Sequence, residues 1–269
     1  MPRKIWLQLI LAVLVLSFSR SLLVSLPAGH GNAGTEDPIP GQVSKEVSIH
    51  PDVQLKKLAD GVWLHTTYQF MEDYGRVPGN GLLVVDGTNG VLVDLPWTNE
   101  QAALIFDWAK KELGVDIEAV IPTHSHSDCI GGLAEAHRRG AKSYAHEKTA
   151  AFAREKGEPV PQVTFKENLE VNCGSIKLIA DYQGGGHTVD NIVVWLPARK
   201  ILFGGCMVKS LYSKTLGYTK EADLKNWPRT LRKIKTKYSQ ACLVIPGHGD
   251  PGGLELLDHT LELLKTLVQ

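Results

Sequence analysis

The chain has 269 residues, enough to bury a substantial core as one large domain. Its 29 basic residues balance 29 acidic ones, and no basic cluster carries interleaved aromatics, so nothing points to nucleic acid or an anionic membrane surface. Apolar residues at 43% and charged ones at 22% are those of an ordinary globular protein.

Arg3 and Lys4 precede an apolar run from Ile5 to Leu16, then Ser17-Phe18-Ser19 and a second short run from Leu22 to Leu26. A charged start followed by a short apolar stretch predicts a secretory signal peptide, cleaved after Ser19 or, preferably, after Ala33. The run falls short of the roughly 20 apolar residues of a membrane span. Residues 1–33 are therefore expected to be removed, leaving residues 34–269 as a periplasmic domain with no stable membrane span. No Cys precedes Cys129, which excludes a lipid-modified N-terminal cysteine.

After a polar lead-in, Val62 to His65 and Gly81 to Val85 read as strands. Gly87-Thr88-Asn89-Gly90 turns the chain back into Val91-Leu92-Val93, giving a hairpin. Thr98 and Gln101 have capping-box spacing and open a helix whose Leu104, Ile105, Trp108 and Leu113 share a face, stopped by Gly114. The strand Ala119-Val120-Ile121-Pro122 leads into His124, and a helix from about Gly132 to Arg139 follows. The alternation continues to a final amphipathic helix marked by Leu254, Leu257, Leu261 and Leu264. This is an α/β pattern, with sheets covered by helices.

The most informative stretch is Thr123-His124-Ser125-His126-Ser127-Asp128-Cys129. On an extended or turning backbone alternate residues point the same way, so His124 and His126 can hold one ion, with Asp128 beside them. A lone His-x-His is as readily an ordinary surface loop; the rest of the chain decides. Apolar strands run into glycines and a ligand-type residue three more times, at Gly186-His187, Gly205-Cys206 and Gly247-His248. His137, His146 and His259 lie in helical or polar contexts and read as structural or solvated.

Six ligands exceed one tetrahedral zinc but divide into two sets. His124, His126 and His187 are neutral, and leave a dipositive ion with an open position, which lowers the pKa of bound water towards about 7. Asp128, Cys206 and His248 would hold a second ion, nearly neutralised by its two anionic ligands. Structural zinc is usually closed by four protein ligands, so open sets point to hydrolysis.

These motifs, with Gly186 to Asn191, Gly204 to Lys209, Pro246 to Gly249, Val77 to Leu82 and Val93-Asp94, resemble the subclass B1 metallo-β-lactamases. The resemblance covers roughly residues 50–269 in the family's order. It implies the αββα metallo-β-lactamase fold, two facing mixed sheets with helices on the outer faces, and a dinuclear zinc site at one edge. It further implies hydrolysis of β-lactam antibiotics (penicillins, cephalosporins, carbapenems), with Asp128 as the catalytic residue that orients the nucleophile and no covalent intermediate. Lys209 would pair with the substrate carboxylate. Where the family often has Leu-Gly-Asn, this chain has Leu216-Gly217-Tyr218, so Tyr218 either donates its hydroxyl or packs. Residues 68–76 align with the family's mobile substrate-covering loop, and Phe70 and Met71 either cover apolar substrate groups or tuck into the core. Asp94 resembles the family's buried acid that braces the His motif from beneath.

Glyoxalase II-like thioesterases of the same superfamily are the alternative. They usually carry His after the motif's Asp and a bridging Asp at the later strand exit; here those positions are Cys129 and Cys206. A non-catalytic zinc-binding module is disfavoured by Lys209. Cys129 is expected near Cys206, where the two thiols can pair if metal is stripped under oxidising conditions. Cys173 and Cys242 read as buried thiols, with a bridge between them left open. The chain is expected to act as a monomer.

Overall fold

In the computed structural model, which describes residues 45–266, strands β1 (Glu46–His50), β2 (Val53–Ala59), β3 (Val62–Met71), β4 (Gly75–Asp86) and β5 (Asn89–Val93) follow one another antiparallel. The expected signal peptide and its cleavage site lie outside the described residues. From β5 the pairing turns parallel through β6 (Asp116–Ile121), β7 (Lys142–His146) and β8 (Val163–Phe165), completing an eight-stranded mixed sheet. Parallel neighbours need crossovers. Helix α1 (Asn99–Trp108) bridges β5 to β6, α2 (Ser127–Ile130) and α3 (Leu133–Arg138) bridge β6 to β7, and α4 (Glu147–Lys156) bridges β7 to β8.

The second sheet holds β9 (Asn168–Cys173), β10 (Ile176–Asp181), β11 (Val193–Leu196), β12 (Ile201–Gly205) and β13 (Leu243–Pro246). It is antiparallel except for β12 and β13, which are parallel and joined across α5 (Trp227–Lys237). Helix α6 (Glu255–Thr266) closes the described chain.

Alternation along the strands sorts the core into layers. Val62, Leu64, Leu82, Val84, Val91 and Val93 meet Leu178, Val194, Phe203 and Ile245 between the sheets. Their outward-pointing neighbours Trp63, Leu83, Leu92 and Val120 pack under Ile105, Phe106 and Leu133. On the other side Trp195, Leu202 and Val244 pack under Trp227, Leu231, Ile234 and Leu257. Leu82-Leu83-Val84 is a continuous apolar run because both faces of β4 are covered. The expected αββα sandwich is the one observed.

Details differ from the sequence reading. Thr98 Oγ1 accepts from the Gln101 amide as expected, but the Gln101 side chain donates to Tyr68 O, so only half of the capping box forms. Residues 68–76 are not an irregular loop. They extend β3 and β4, with Phe70 opposite Arg76 and Met71 opposite Gly75. Gly75 at φ 71° makes the turn, and the Arg76 guanidinium lies 3.5 Å over the Tyr68 ring while pairing with Asp52. Phe70 and Met71 stay out of the core, Phe70 being 73% exposed. On α6 the buried seam runs through Leu256, Leu257, Thr260, Leu263 and Leu264, with Leu254 and Leu261 only partly buried, because α6 packs beside α5 against the sheet. Cys242 is exposed, not buried, and all four cysteines are free. Cys173 is spoken for by contacts of its thiol with Val84 O and Asn89 O.

Candidate metal centre

Strand β6 ends at Ile121, and the next residues turn around a buried acid. Asp94, in left-handed backbone at φ 51° just past β5, accepts from Thr123 N at 2.6 Å and Thr123 Oγ1 at 2.9 Å. Burial drives the Asp94 carboxyl up to about 7, against the opposing pull of His124 and the Thr123 amide. The expected brace is thus in place, acting through Thr123. Beneath it, His65 donates from Nε2 to Asp94 O at 3.1 Å, and burial lowers its pKa to about 4.

The turn presents His124 and His126, and the glycine-rich segment between β10 and β11 brings His187 to them. The three rings stand edge to face, with centroids 4.6, 5.2 and 5.1 Å apart. One ring nitrogen of each falls within a 4.8 Å cluster. His187 Nε2 faces His126 Nδ1 at 3.2 Å, while His124 Nε2 is buried with no partner, 3.8 Å from Asp128 Oδ1. Burial holds His126 and His187 below the usual imidazole range, His187 well below it, with Lys209 and the neighbouring histidines adding to the effect.

Asp128, Cys206 and His248 meet beside this cluster. Asp128 Oδ2 lies 3.1 Å from Cys206 Sγ and 3.3 Å from His248 Nε2, and Cys206 Sγ lies 3.3 Å from that nitrogen. Burial alone would raise the Asp128 carboxyl, but the His248 hydrogen bond and the charges of His124 and His248 hold it well below the usual range. His248 moves the other way: Cys206 and Asp128 overcome burial and raise it well above the imidazole value. A Cβ on Gly247 would lie 2.4 Å from Cys206 Sγ, so only glycine lets this loop close over the thiol. All six expected ligands are therefore brought together.

Their fixed tautomers fit a metal ion. His126 turns Nε2 to Glu221 Oε2 at 2.8 Å, and a carboxylate partner keeps the proton on Nε2 and the lone pair on Nδ1. His248 Nδ1 donates to Pro78 O, which turns Nε2 towards Asp128 and Cys206, where a metal ion would take the place of its proton. The orphaned His124 Nε2 and the facing nitrogens of His126 and His187 are costly in a dry site unless a cation joins them.

The sequence reading missed several supports. Glu221 is held by Lys156 of α4 at 3.2 Å while it fixes His126 across 95 positions; no local pattern marks so remote a contact. Asn80 Nδ2 donates to Pro246 O and Gly249 O, and Asn80 N to Gly247 O, tying β4 to the loop that carries His248.

The ligand sets open on a cavity of about 590 Å³ lined by Met71, Trp97, His126, Lys209, Tyr218 and His248, among others. That volume suits a small organic molecule. Lys209 is buried, makes no ion pair among the described residues, and lies 5.7 Å from the Trp227 ring. Burial lowers its pKa, while Cys206 and Asp128 counteract. Tyr218 is partly exposed, and its ring stands edge to face on His126 at 5.6 Å. The cavity thus combines a cation, an apolar rim and a converging ligand cluster.

A profile of the metallo-β-lactamase superfamily matches residues 74–248. The type 2 metallo-β-lactamase of Bacteroides fragilis is 40% identical over 232 residues, covering 86% of this chain and 93% of that protein. The metallo-β-lactamase IND-1 of Chryseobacterium indologenes is 40% identical over 186 residues, covering 69% and 78%. Among solved structures, a metallo-β-lactamase from Pontibacter korlensis superposes with a TM-score of 0.77 at 39% identity, covering 79% of this chain and 99% of that one.

Proposed function

This chain belongs to the metallo-β-lactamase superfamily, and we propose that it is a subclass B1 enzyme that uses two zinc ions to hydrolyse the amide bond of β-lactam antibiotics. The observation that carries the subclass and the second ion is Cys206, a buried thiol 3.1 Å from the Asp128 carboxylate and 3.3 Å from His248 Nε2. A thiolate in that position favours zinc over the harder ions that an all-carboxylate set would take.

In this reading His124, His126 and His187 would hold one ion, and Asp128, Cys206 and His248 the other. When bound, zinc supplies Lewis acidity towards the lactam carbonyl and a water acidified towards a pKa of about 7. The protein supplies position. Asp94, through Thr123, fixes the turn that aims His124, and Glu221 fixes the face His126 presents. The Asp128 carboxylate, kept ionised by its neighbours, accepts a hydrogen bond from the attacking water and so orients its lone pair to the carbonyl carbon. The Lys209 ammonium, buried at the cavity wall with no competing ion pair among the described residues, receives the substrate carboxylate. Phe70 and Met71 at the hairpin tip cover apolar substituents of the substrate. Tyr218 packs on His126 at the cavity wall, where its hydroxyl reaches towards substrate.

The same reading takes residues 1–33 as a signal peptide and 34–269 as the mature periplasmic enzyme, working as a monomer. Its support is the charged start and short apolar run. No helix among the described residues is long and apolar enough to cross a membrane. The test is hydrolysis of a carbapenem by the mature protein with and without a chelator. Turnover should fall to the uncatalysed background on chelation and return with zinc; full turnover by metal-free protein refutes the proposal.

A further inference from the structure

Cys129 has no part in either ligand set, yet its thiol lies on the floor of the centre. One donor atom from each of His124, Asp128, Cys129 and Cys206 falls within 4.8 Å of the other three, and all four residues are buried. Cys129 Sγ is 3.2 Å from His124 Nδ1, the ring nitrogen turned away from the unpartnered Nε2. Cys206 Sγ is 3.1 Å from Asp128 Oδ2. A tetrahedral ion with bonds of about 2.3 Å to sulfur and about 2.0–2.1 Å to nitrogen and oxygen spaces its donors roughly 3.3–3.8 Å apart. The four donors lie within 4.8 Å of one another, and the Cys129–His124 and Cys206–Asp128 spacings are a little shorter than this range, so side-chain torsions open them around an ion.

The donors are two sulfurs, an imidazole nitrogen and a carboxylate oxygen. Soft thiolates select soft d¹⁰ ions, and four protein donors leave no open position for water or substrate. We propose that this floor is a closed dithiolate site for a soft d¹⁰ cation such as Cd²⁺, formed by Cys129 and Cys206 with His124 and Asp128. The inference rests on the reading above in taking Asp128 and Cys206 as metal ligands. It differs in the ion's company: Cys129 and His124 stand in place of His248, and an ion here withdraws His124 from the first zinc set and Asp128 and Cys206 from the second. Binding is an exchange without redox change. The metal–sulfur bond to Cys129 forms as its S–H proton leaves to solvent.

The test is a titration of the metal-free mature protein with Cd²⁺, read as thiolate-to-cadmium charge-transfer absorbance in the ultraviolet. The first equivalent should give a band about twice as strong in the wild type as in Cys129→Ser, and His248→Ala should leave the wild-type band intact. A band unchanged by Cys129→Ser and weakened by His248→Ala places the ion in the Asp128, Cys206 and His248 set, and overturns the proposal. X-ray absorption at the cadmium edge, on wild-type protein, needs no variant: two sulfurs per ion are expected, and one overturns the inference. The hydrolytic reading fails separately, through absence of chelator-sensitive lactam turnover by the zinc-loaded wild type.

Discussion

The two corners of the centre hold histidine differently. Burial and the neighbouring imidazoles hold His126 and His187 below the usual imidazole range, while His124, nearer the anionic corner, is raised by Cys206 and Asp128 against its burial. Around His248, a carboxylate and a thiol within 3.3 Å raise the imidazole instead. A neutral set leaves the full charge of a bound dication to act on water and carbonyl, whereas an anionic set spends most of that charge on its own ligands. The difference teaches that six ligands in one cleft are two environments, and that the chemistry should divide between them.

The sharpest way to break the comparison is to damage the anionic corner alone. Cys206→Ser removes its soft donor and spares all three histidines of the other. Metal analysis of the folded variant should find about one zinc per chain in place of about two. Turnover should fall on the order of 10²–10³, the scale of losing one group that stabilises developing negative charge. Two tightly bound zincs with unaltered turnover would remove Cys206 from the ligand set.

A second measurement probes the support beneath the neutral corner. His65 has its pKa lowered from 6.5 to about 4 by burial, under the carbonyl of Asp94. Above about pH 6.5 the ring is neutral folded or unfolded, and its contribution to stability is fully present. Between 6.5 and about 4 the unfolded chain takes up a proton that the folded one refuses, so stability declines by about 3 kcal/mol and then levels off. In His65→Gln this component should be missing. Urea unfolding of both proteins in chelator, from pH 7 to pH 4, reads the difference; parallel curves would show that His65 is not the group responsible.

The remaining two tests concern residues that serve both corners through the substrate. Lys209→Ala should raise KM by about tenfold for carboxylate-bearing lactams, about 1.4 kcal/mol, with kcat changed less, because a positioning contact is lost while the ligands remain. Tyr218→Phe removes only a hydroxyl and should have the smallest effect, about twofold to fivefold in kcat if that group meets developing charge. An unaltered kcat would leave Tyr218 as packing on His126.

The convergence of the six candidate ligands was legible because their signal repeats: an apolar strand, glycines, then a donor, at His187, Cys206 and His248, after the His124 cluster. The sandwich was legible from strand and helix alternation. What escaped depends on contacts that no local pattern encodes. Glu221 meets His126 from 95 positions away. The α6 seam rotates towards Leu256 and Leu263 because α5 lies alongside. Cys242 has the look of a core thiol in sequence, flanked by Ala241 and Leu243, yet it lies just before β13 and is exposed.

Each proposed ion would draw ligands from both sheets. His124 and His126 leave β6 and Asp128 follows them, whereas His187, Cys206 and His248 come from the other sheet. Neither set exists in the unfolded chain or in one half of the fold, so binding energy becomes energy of docking the halves, as a cross-link would supply. An ion at a hundred times its dissociation constant adds about 2.7 kcal/mol to the folded state. Scarce zinc would therefore silence the enzyme and also loosen the join between its sheets, exposing the chain to proteolysis. With both ions bound in this way, the supply of metal would set how long the protein survives as well as how fast it works.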